Sequence, residues 1–360
     1  MKVLHCIPRL AGGGAERQLF YLVRELDRRG HPQHLVFFRP GPDPPPFPPN
    51  VIIHRLEAAG NYDPRLVGRM IRLMRRVRPD VVQSWILQMD VVAGMAARFL
   101  SLPWVLREPS SHMAWPRTLK NFLRFWLARG ARGVVCNSQE GLDLWSRQRG
   151  PNRRVMIPNI VPLEEINRLP PTSLETFGIS PQERVILFAG RFDQWAKNVT
   201  TLVAALIEVM SSQPCYALLC GDGAGVDEAR QLARQGGQEK RILFPGYVDP
   251  VVGLMKRADL FVSVSIFEGQ PNVVLEAMAC KCPLVLSDIP AHRALVDEAA
   301  AWFAPAREPH KIAQAILQAL ADPRQAQLKA DAAFNKLDGF RPDSVADKYL
   351  QFYQELVPLP

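Results

Sequence analysis

No stretch of this chain stays apolar long enough to cross a bilayer. Arg, Asp or Gly breaks every hydrophobic run well before about twenty residues. The opening residues Met1 to Ile7 are halted by Pro8 and Arg9, too soon for the apolar core of a secretory leader. They read as a first strand, and the expectation is a cytoplasmic protein. Cysteine is sparse: the 6 residues Cys6, Cys136, Cys215, Cys220, Cys280 and Cys282 sit in apolar strand-like or helix-like contexts, as buried reduced thiols do. Cys280 and Cys282 are too close together and too isolated to suggest zinc, so no metal site is expected. There is no G-K-[ST] phosphate loop, which argues against an NTPase. The Gly12–Gly14 run misses G-x-G-x-x-G because Arg17 holds its last place, which disfavours a dinucleotide site. No short repeat and no nucleic-acid module occur, so nucleic acid is not expected as a partner. Acidic residues are outnumbered, 35 against 44 Lys and Arg, and the formal charge of +9 biases the surface toward anions.

What is present is globular. The 360 residues, 48% hydrophobic and 22% charged, are too many for one ordinary core and enough for two. The dominant rhythm is short apolar strand, loop, amphipathic helix, which implies parallel sheets with helices on both faces. Strands are expected near 3–7, 35–38, 51–54, 81–84, 105–107, 134–137 and 155–157, with helices near 15–28, 65–78, 89–100, 117–129 and 139–148. Ser138 is placed as a helix N-cap, and the Pro-rich 41–50 segment as a surface loop. Pro-rich residues 161–181 without periodicity read as a linker, and the rhythm then restarts at Val185. The expected organisation is a first doubly wound domain over 1–160, a second over 182–340, and a last helix within 341–360 crossing back to the first.

Three strings carry chemistry. The strongest runs from Ser265 to Ala279: a strand, then Glu268, a tight Gly269-Gln270-Pro271 turn, and a helix start at Asn272 and Val273. Free N–H groups at such a start suit a phosphate. Glu268 in the loop and Glu276 about one turn into the helix can accept hydrogen bonds from sugar hydroxyls. Taken singly, each Glu could equally be an N-cap or a solvated helix residue. In the second string, Arg191 and Lys197 follow the strand ending near Gly190, at the carboxyl end where cations can hold phosphate oxygens. In the third, Gly12, Gly13 and Gly14 follow the first strand and open a helix, letting backbone approach an anion.

The Glu268–Glu276 spacing resembles the E-x7-E signature of retaining, GT-B-fold glycosyltransferases of family 4, and the resemblance extends over nearly the whole chain. It implies two Rossmann-like α/β domains facing each other across a cleft. It also implies transfer of a hexose from a nucleoside diphosphate sugar, a UDP-sugar, with retention of configuration. Glu268 would contact the donor sugar and Glu276 the ribose; Arg191 and Lys197 would clamp the diphosphate, matching the family's G-R-x…K-N segment. Gly13 and Gly14 match its first-domain glycine loop, and Gly246 and Tyr247, in Phe244-Pro245-Gly246-Tyr247-Val248, match a segment beside the nucleobase. Cys220 to Gly223 resembles a family turn. Ile157-Pro158-Asn159 resembles its hinge strand, with Ile160 where the family usually has Gly. The donor is substrate, not cofactor, and no metal is required by this reading, because the cations and the helix terminus supply the positive charge.

On the acceptor side, His112 follows the strand ending Leu106-Arg107-Glu108 and is the candidate matched to a His that many family members carry; Arg107 and Glu108 are candidates for acceptor or phosphate contacts. Two helices combine basic and apolar stripes: Arg65, Arg69, Arg72 and Arg76 beside Leu66, Met70, Ile71 and Met74; and Leu119, Phe122, Leu123 and Trp126 flanked by Arg117, Lys120, Arg124 and Arg129. Such faces suit an anionic membrane surface carrying a lipid-linked glycan or polysaccharide precursor as acceptor. An apolar side packed on the sheet with solvated arginines fits the same pattern. Two other readings of the fold are a nucleotide-sugar epimerase and a non-catalytic sugar-nucleotide-binding protein.

Overall fold

A computed structural model describes residues 1–10, 13–41, 45–60, 63–109, 118–151 and 153–357. The chain divides into two compact units, one of residues 1–160 with 339–360, the other of residues 161–338.

The first unit runs β1 (Val3–Cys6), β2 (Arg9–Leu10), α1 (Gly14–Arg28), β3 (Gln33–Phe37), β4 (Arg39–Pro40), β5 (Ile52–Arg55), α2 (Arg65–Val77), β6 (Val81–Trp85), α3 (Leu87–Phe99), β7 (Trp104–Glu108), α4 (Leu119–Ala128), β8 (Gly133–Cys136), α5 (Gln139–Ser146) and β9 (Arg153–Met156). Among the described residues its main sheet has the order β5-β3-β1-β6-β7-β8-β9, and the pairs are parallel. β2 and β4 form a separate parallel pair. Strands covered on both faces are mostly apolar, and β1, β6, β7 and β8 are buried at every position, including the polar His5, Gln83, Ser84, Arg107 and Glu108. The edge strand β5 instead exposes Ile52 and Ile53. Ser138 caps α5, its Oγ accepting from the Gly141 N–H at 3.2 Å.

The second unit opens with α6 (Leu163–Arg168) and continues β10 (Val185–Ala189), α7 (Val199–Ser212), β11 (Tyr216–Cys220), α8 (Val226–Gln235), β12 (Ile242–Gly246), α9 (Val252–Met255), β13 (Leu260–Ser263), α10 (Asn272–Ala279), β14 (Leu284–Ser287), α11 (Pro290–Arg293), β15 (Trp302–Ala304), α12 (Pro309–Ala321) and α13 (Pro323–Asn335). The sheet order is β12-β11-β10-β13-β14-β15, parallel throughout. Residues 161–181 are not the structureless linker their composition suggests. They carry α6 and a turn of 3₁₀ helix over Leu174–Phe177, and they bury Ile166, Leu174 and Ile179. The Thr172 N–H donates to the Gly253 carbonyl at 2.9 Å. Together with Val161 the three buried side chains make four apolar anchors among prolines, too few to show periodicity, yet enough to fasten the segment down.

The chain then returns to the first unit as α14 (Pro342–Leu356), which packs on α1. Val345, Ala346, Tyr349, Phe352, Tyr353 and Leu356 share a buried cluster with Leu19, Leu22, Val23 and Leu26. The Tyr353 hydroxyl donates to Gln83 on the central strand β6. Among the described residues no helix is long and apolar enough to cross a membrane.

Candidate active site

In each sheet the strand order reverses direction once, between β1 and β6 in the first unit and between β10 and β13 in the second. Loops leaving the carboxyl ends of two strands on either side of such a reversal diverge to opposite faces, and the crevice between them is where doubly wound sheets bind ligands. In the second unit those loops hold residues 190–198 and 264–271, the two strings singled out above.

The loop after β10 is folded by its own polar groups. Asp193 Oδ1 accepts from the Trp195 and Ala196 N–H groups at 2.9 and 3.2 Å, and the Asp193 carbonyl accepts from Lys197 N–H at 2.8 Å. Asn198 then takes a left-handed conformation (φ 58°), which Asn tolerates better than most residues. Its buried amide donates to the carbonyls of Val264 and Ala306 at 3.2 and 2.6 Å. The Ile266 N–H donates to the Ala196 carbonyl at 2.8 Å, and Trp195 stands edge-on to Phe267 at 4.6 Å. The two loops are thereby locked into one assembly.

Within it, the Lys197 ammonium pairs with Glu268 Oε1 at 2.5 Å, both side chains being about 15% exposed. Ser265 Oγ donates to the same oxygen at 2.8 Å. Glu268 Oε2 makes no hydrogen bond among the described residues. Burial pushes the Glu268 carboxyl up, but the Lys197 charge, with hydrogen bonds from Lys197 and Ser265, outweighs it and holds the group below its usual range. Glu268 is therefore an ionised carboxylate at neutral pH, with one oxygen held by protein. Its role is not that of a helix cap: the α10 N-cap is Pro271, and no side chain caps that end. The N-cap of α10 makes no side-chain capping bond, and the partial positive charge of a helix N-terminus lies beside this loop. Glu276, one turn in, is buried rather than solvated. Arg191 is exposed at the head of the first loop and makes no ion pair or hydrogen bond through its side chain among the described residues. The structure thus joins Lys197 to Glu268 directly and leaves Arg191 as a nearby uncommitted cation.

Close backbone contact gathers the neighbouring strand ends. Gly221 has φ 139°, its N–H donates to the Gly246 carbonyl at 2.7 Å, and a Cβ there would lie 1.8 Å from the Gly190 carbonyl oxygen. Gly246 is itself left-handed (φ 81°), and Tyr247 beyond it is 68% exposed. Gly269 is buried and Gln270 half-buried in the turn before α10.

Sequence reasoning missed what supports Glu268 from behind. Ser287 Oγ donates to the Ser265 carbonyl at 2.6 Å, and His292 Nδ1 lies 2.9 Å from the Ser287 carbonyl, with Nε2 3.4 Å from Ser263 Oγ. Burial lowers the His292 imidazole to about 4, so the ring is neutral. His292 sits in Pro290-Ala291-His292-Arg293, which matches no motif; only the pairing of β13 with β14 brings it here.

The first unit's candidates fare differently. Gly13 is the N-cap of α1 and Gly14 its first residue; Gly12 and His112 lie outside the described residues. Arg107 and Glu108 are not free to meet an acceptor. Arg107 is buried, donating to Tyr349 Oη at 3.0 Å and Asn159 Oδ1 at 2.5 Å and stacking over Trp85. Glu108 is fully buried against Arg124 at 2.8 Å and the Trp145 indole N–H at 3.2 Å. Their strand is central, so side chains read as facing a ligand face the core. Ile160 stands where a glycine was expected, and its backbone is held at both ends by Gln18, which donates to its carbonyl and accepts from its N–H.

The two basic helices also separate. On α2 the apolar stripe Leu66, Met70 and Met74 is buried, so that helix simply packs on its sheet. α4 is inverted. It buries Asn121, Arg124, Leu127 and Ala128 while Leu119, Phe122, Leu123 and Trp126 are 74, 65, 37 and 45% exposed. Arg124, expected as a surface cation, is fully buried between Asp90 (2.7 Å) and Glu108 (2.8 Å). Met95 and Phe99 of α3 extend the exposed apolar surface, and Arg98 lies over the Trp126 ring.

Residues 183–322 match the family described as Glycosyl transferases group 1, and residues 12–165 match Glycosyltransferase Family 4. The chain is 27% identical to the lipopolysaccharide core biosynthesis glycosyltransferase LpsE of Rhizobium meliloti, over 94% of this chain and 95% of that one. It is 22% identical to the UDP-Gal:alpha-D-GlcNAc-diphosphoundecaprenol alpha-1,3-galactosyltransferase of Escherichia coli, over 63% of this chain and 62% of the other. Its fold matches the crystal structure of Anabaena HepE in complex with UDP, with a TM-score of 0.83 at 20% identity over 99% of this chain and 100% of HepE.

Proposed function

This chain belongs to the group 1 glycosyltransferases, and we propose that it moves a hexose from a UDP-sugar to a hydroxyl of a lipid-linked glycan or polysaccharide precursor, with retention of configuration. The observation that carries the reading is the Lys197–Glu268 pair across the strand reversal, in front of the uncapped start of α10. The UDP in the HepE structure and the UDP-galactose in the name of the Escherichia coli relative support the choice of donor.

In this mechanism the diphosphate sits between Lys197, Arg191 and the N–H groups of Asn272 and Val273. Lys197 is shared between phosphate and Glu268, and Glu268 Oε2 accepts a hydroxyl of the donor sugar. Glu276 holds the ribose, and the Gly246–Tyr247 backbone lies along the base. As the glycosidic bond breaks, negative charge builds on the leaving UDP. Cations and amide dipoles already in place stabilise it without reorganising, each contributing on the order of a few kcal/mol to the barrier. The acceptor hydroxyl attacks the anomeric carbon and passes its proton to the departing phosphate. The positive charge comes from these side chains and the helix end, so the reaction runs without a metal, and turnover should survive EDTA.

The exposed apolar stripe of α4, framed by Arg98 and Lys120, supports peripheral docking on an anionic membrane on the cytoplasmic side, where a lipid-linked acceptor is met. Glu276→Gln and Lys197→Ala test the chemistry. Each should cut transfer at least a hundredfold in a chain that still folds, and wild-type turnover in both would end the assignment. Product analysis with and without acceptor separates transfer from epimerisation, and the anomeric coupling constant of the product reads out retention.

A further inference from the structure

Outside the site just described, the first unit carries a second feature built for an anion. A groove of about 610 Å³ lies between β5 and α2, lined by eight residues of which none is acidic. Arg69, Arg72 and Arg76 recur at intervals of three and four on α2, so they stand on one helix face, and Arg55 and His54 meet them from the edge strand. Arg55, Arg72 and Arg76 make no hydrogen bond or ion pair among the described residues. Arg69 is held by the Glu57 carbonyl and lies 3.8 Å from Asp63, a carboxylate that Arg65 already occupies at 2.8 Å. His54 stacks on His34 with ring nitrogens 2.9 Å apart, and burial, His34 and Arg76 together keep it neutral near pH 7.

Four guanidiniums around one concavity repel one another; Asp63 and the Glu57 carbonyl offset Arg69 in part, while the side chains of Arg55, Arg72 and Arg76 have no acidic partner among the described residues. Planar forks facing a shared space match the oxygens of a phosphate group, which accepts two parallel hydrogen bonds from each Arg. We propose that this groove binds a phosphate-bearing anion, and that Arg72 and Arg76, with Arg55 opposite, are its primary ligands. The shared chemistry is phosphate: a phospholipid headgroup or a soluble polyphosphate would satisfy it. The inference does not depend on the transferase reading, because no residue of the donor site takes part.

The test uses the full chain and the double variant Arg72→Ala/Arg76→Ala, whose side chains are exposed and outside the core. Calorimetric titration with inorganic pyrophosphate, in saturating UDP to occupy the donor site, is one arm. Flotation with vesicles of phosphatidylglycerol against phosphatidylcholine is the other. A soluble ligand is supported if pyrophosphate binds the wild type and its affinity falls at least tenfold in the variant. A lipid headgroup is supported if pyrophosphate fails to bind but the preference for phosphatidylglycerol drops at least fivefold in the variant. Equal behaviour of variant and wild type in both arms overturns the proposal. A Lys197→Ala control separates the two sites: it should leave both readouts unchanged, and if pyrophosphate binding falls with Lys197 and not with the arginine pair, the groove is not the site.

Discussion

Ser265 shows how much rests on single side chains. Its hydroxyl shares with Lys197 the task of fixing Glu268 Oε1, and its carbonyl is fixed in turn by Ser287. A hydrogen bond to a charged group contributes roughly 1.5–3 kcal/mol, so Ser265→Ala should lower kcat about tenfold. In the proposed mechanism the donor's nucleotide is held elsewhere, so KM for the donor should change little, and a loss confined to KM would show that Ser265 only binds. Gly221 is under a different constraint. With φ 139° and a carbonyl oxygen 1.8 Å from where a Cβ would stand, Gly221→Ala should cost at least about 2 kcal/mol and lower the melting temperature by several degrees. An unchanged melting temperature would mean the turn adapts freely. Both residues lie inside strings that drew notice as sequence, but what could be read there was the Glu268–Glu276 spacing and the cations Arg191 and Lys197, not the pairing of Lys197 with Glu268. The Ser287–His292 support depends on which strand neighbours which, and no local pattern encodes that.

At the level of elements, α4 is where hydrophobic periodicity gave the right helix, with an outward apolar stripe as one of two open readings, but placed Arg124 on the surface. Apolar and basic residues alternate along it as on any amphipathic helix. What reverses the usual orientation is a pair of acids, Asp90 on α3 and Glu108 at the end of β7, that are distant in sequence and buried beside Arg124. Once those carboxylates are inside, a guanidinium must join them. Two acids share one base, and burial, with the neighbouring Glu108 charge, drives the Asp90 carboxyl upward against the pull of Arg124 and Ser84. Arg124→Met should therefore destabilise the first unit by about 3–5 kcal/mol, the usual penalty for stranding a buried ionic partner, read as an earlier unfolding transition. The outward stripe can be changed without touching that cluster. Phe122→Ser with Trp126→Ser should leave unfolding unaltered and reduce flotation with phosphatidylglycerol vesicles severalfold; undiminished flotation would remove α4 from the docking surface. The linker reading failed for a related reason. Residues 161–181 hold their place through four scattered buried apolar residues, Val161, Ile166, Leu174 and Ile179, a signal below what periodicity can detect.

For the molecule as a whole, the rhythm of strand and helix carried most of what was legible, and strand order was not part of it. The alternation of strand and helix implied two doubly wound sheets, and the position of the reversal in each follows from the order in which the strands pair. The same cores set the response to acid. His5 in the first unit and His292 in the second are fully buried, and burial lowers each from 6.5 to about 4. Above pH about 6.5 neither state of the chain binds these protons. As the pH falls toward 4 the unfolded chain binds them and the folded one does not, so stability falls across that window by up to about 3 kcal/mol per histidine. Melting temperature followed from pH 7.5 to 4.5 should decline, and His292→Asn should flatten the decline for one unit only. A melting temperature that stays level or rises would contradict the burial of both rings.

The return of α14 to the first unit ties the fold to the order of synthesis. Tyr349, Phe352 and Tyr353 fill a cluster that includes Val3 of β1 and Leu19, Leu22, Val23 and Leu26 of α1, made more than three hundred residues earlier. On the ribosome, the half of the protein that emerges first must wait with an open apolar seam while the other half is translated and folds. Elongation at about 5–20 residues per second makes that wait tens of seconds at the slow end. A stalled nascent chain ending at Asp338 should thus present a protease-sensitive first unit beside a resistant second one, and release of the final helix should close it.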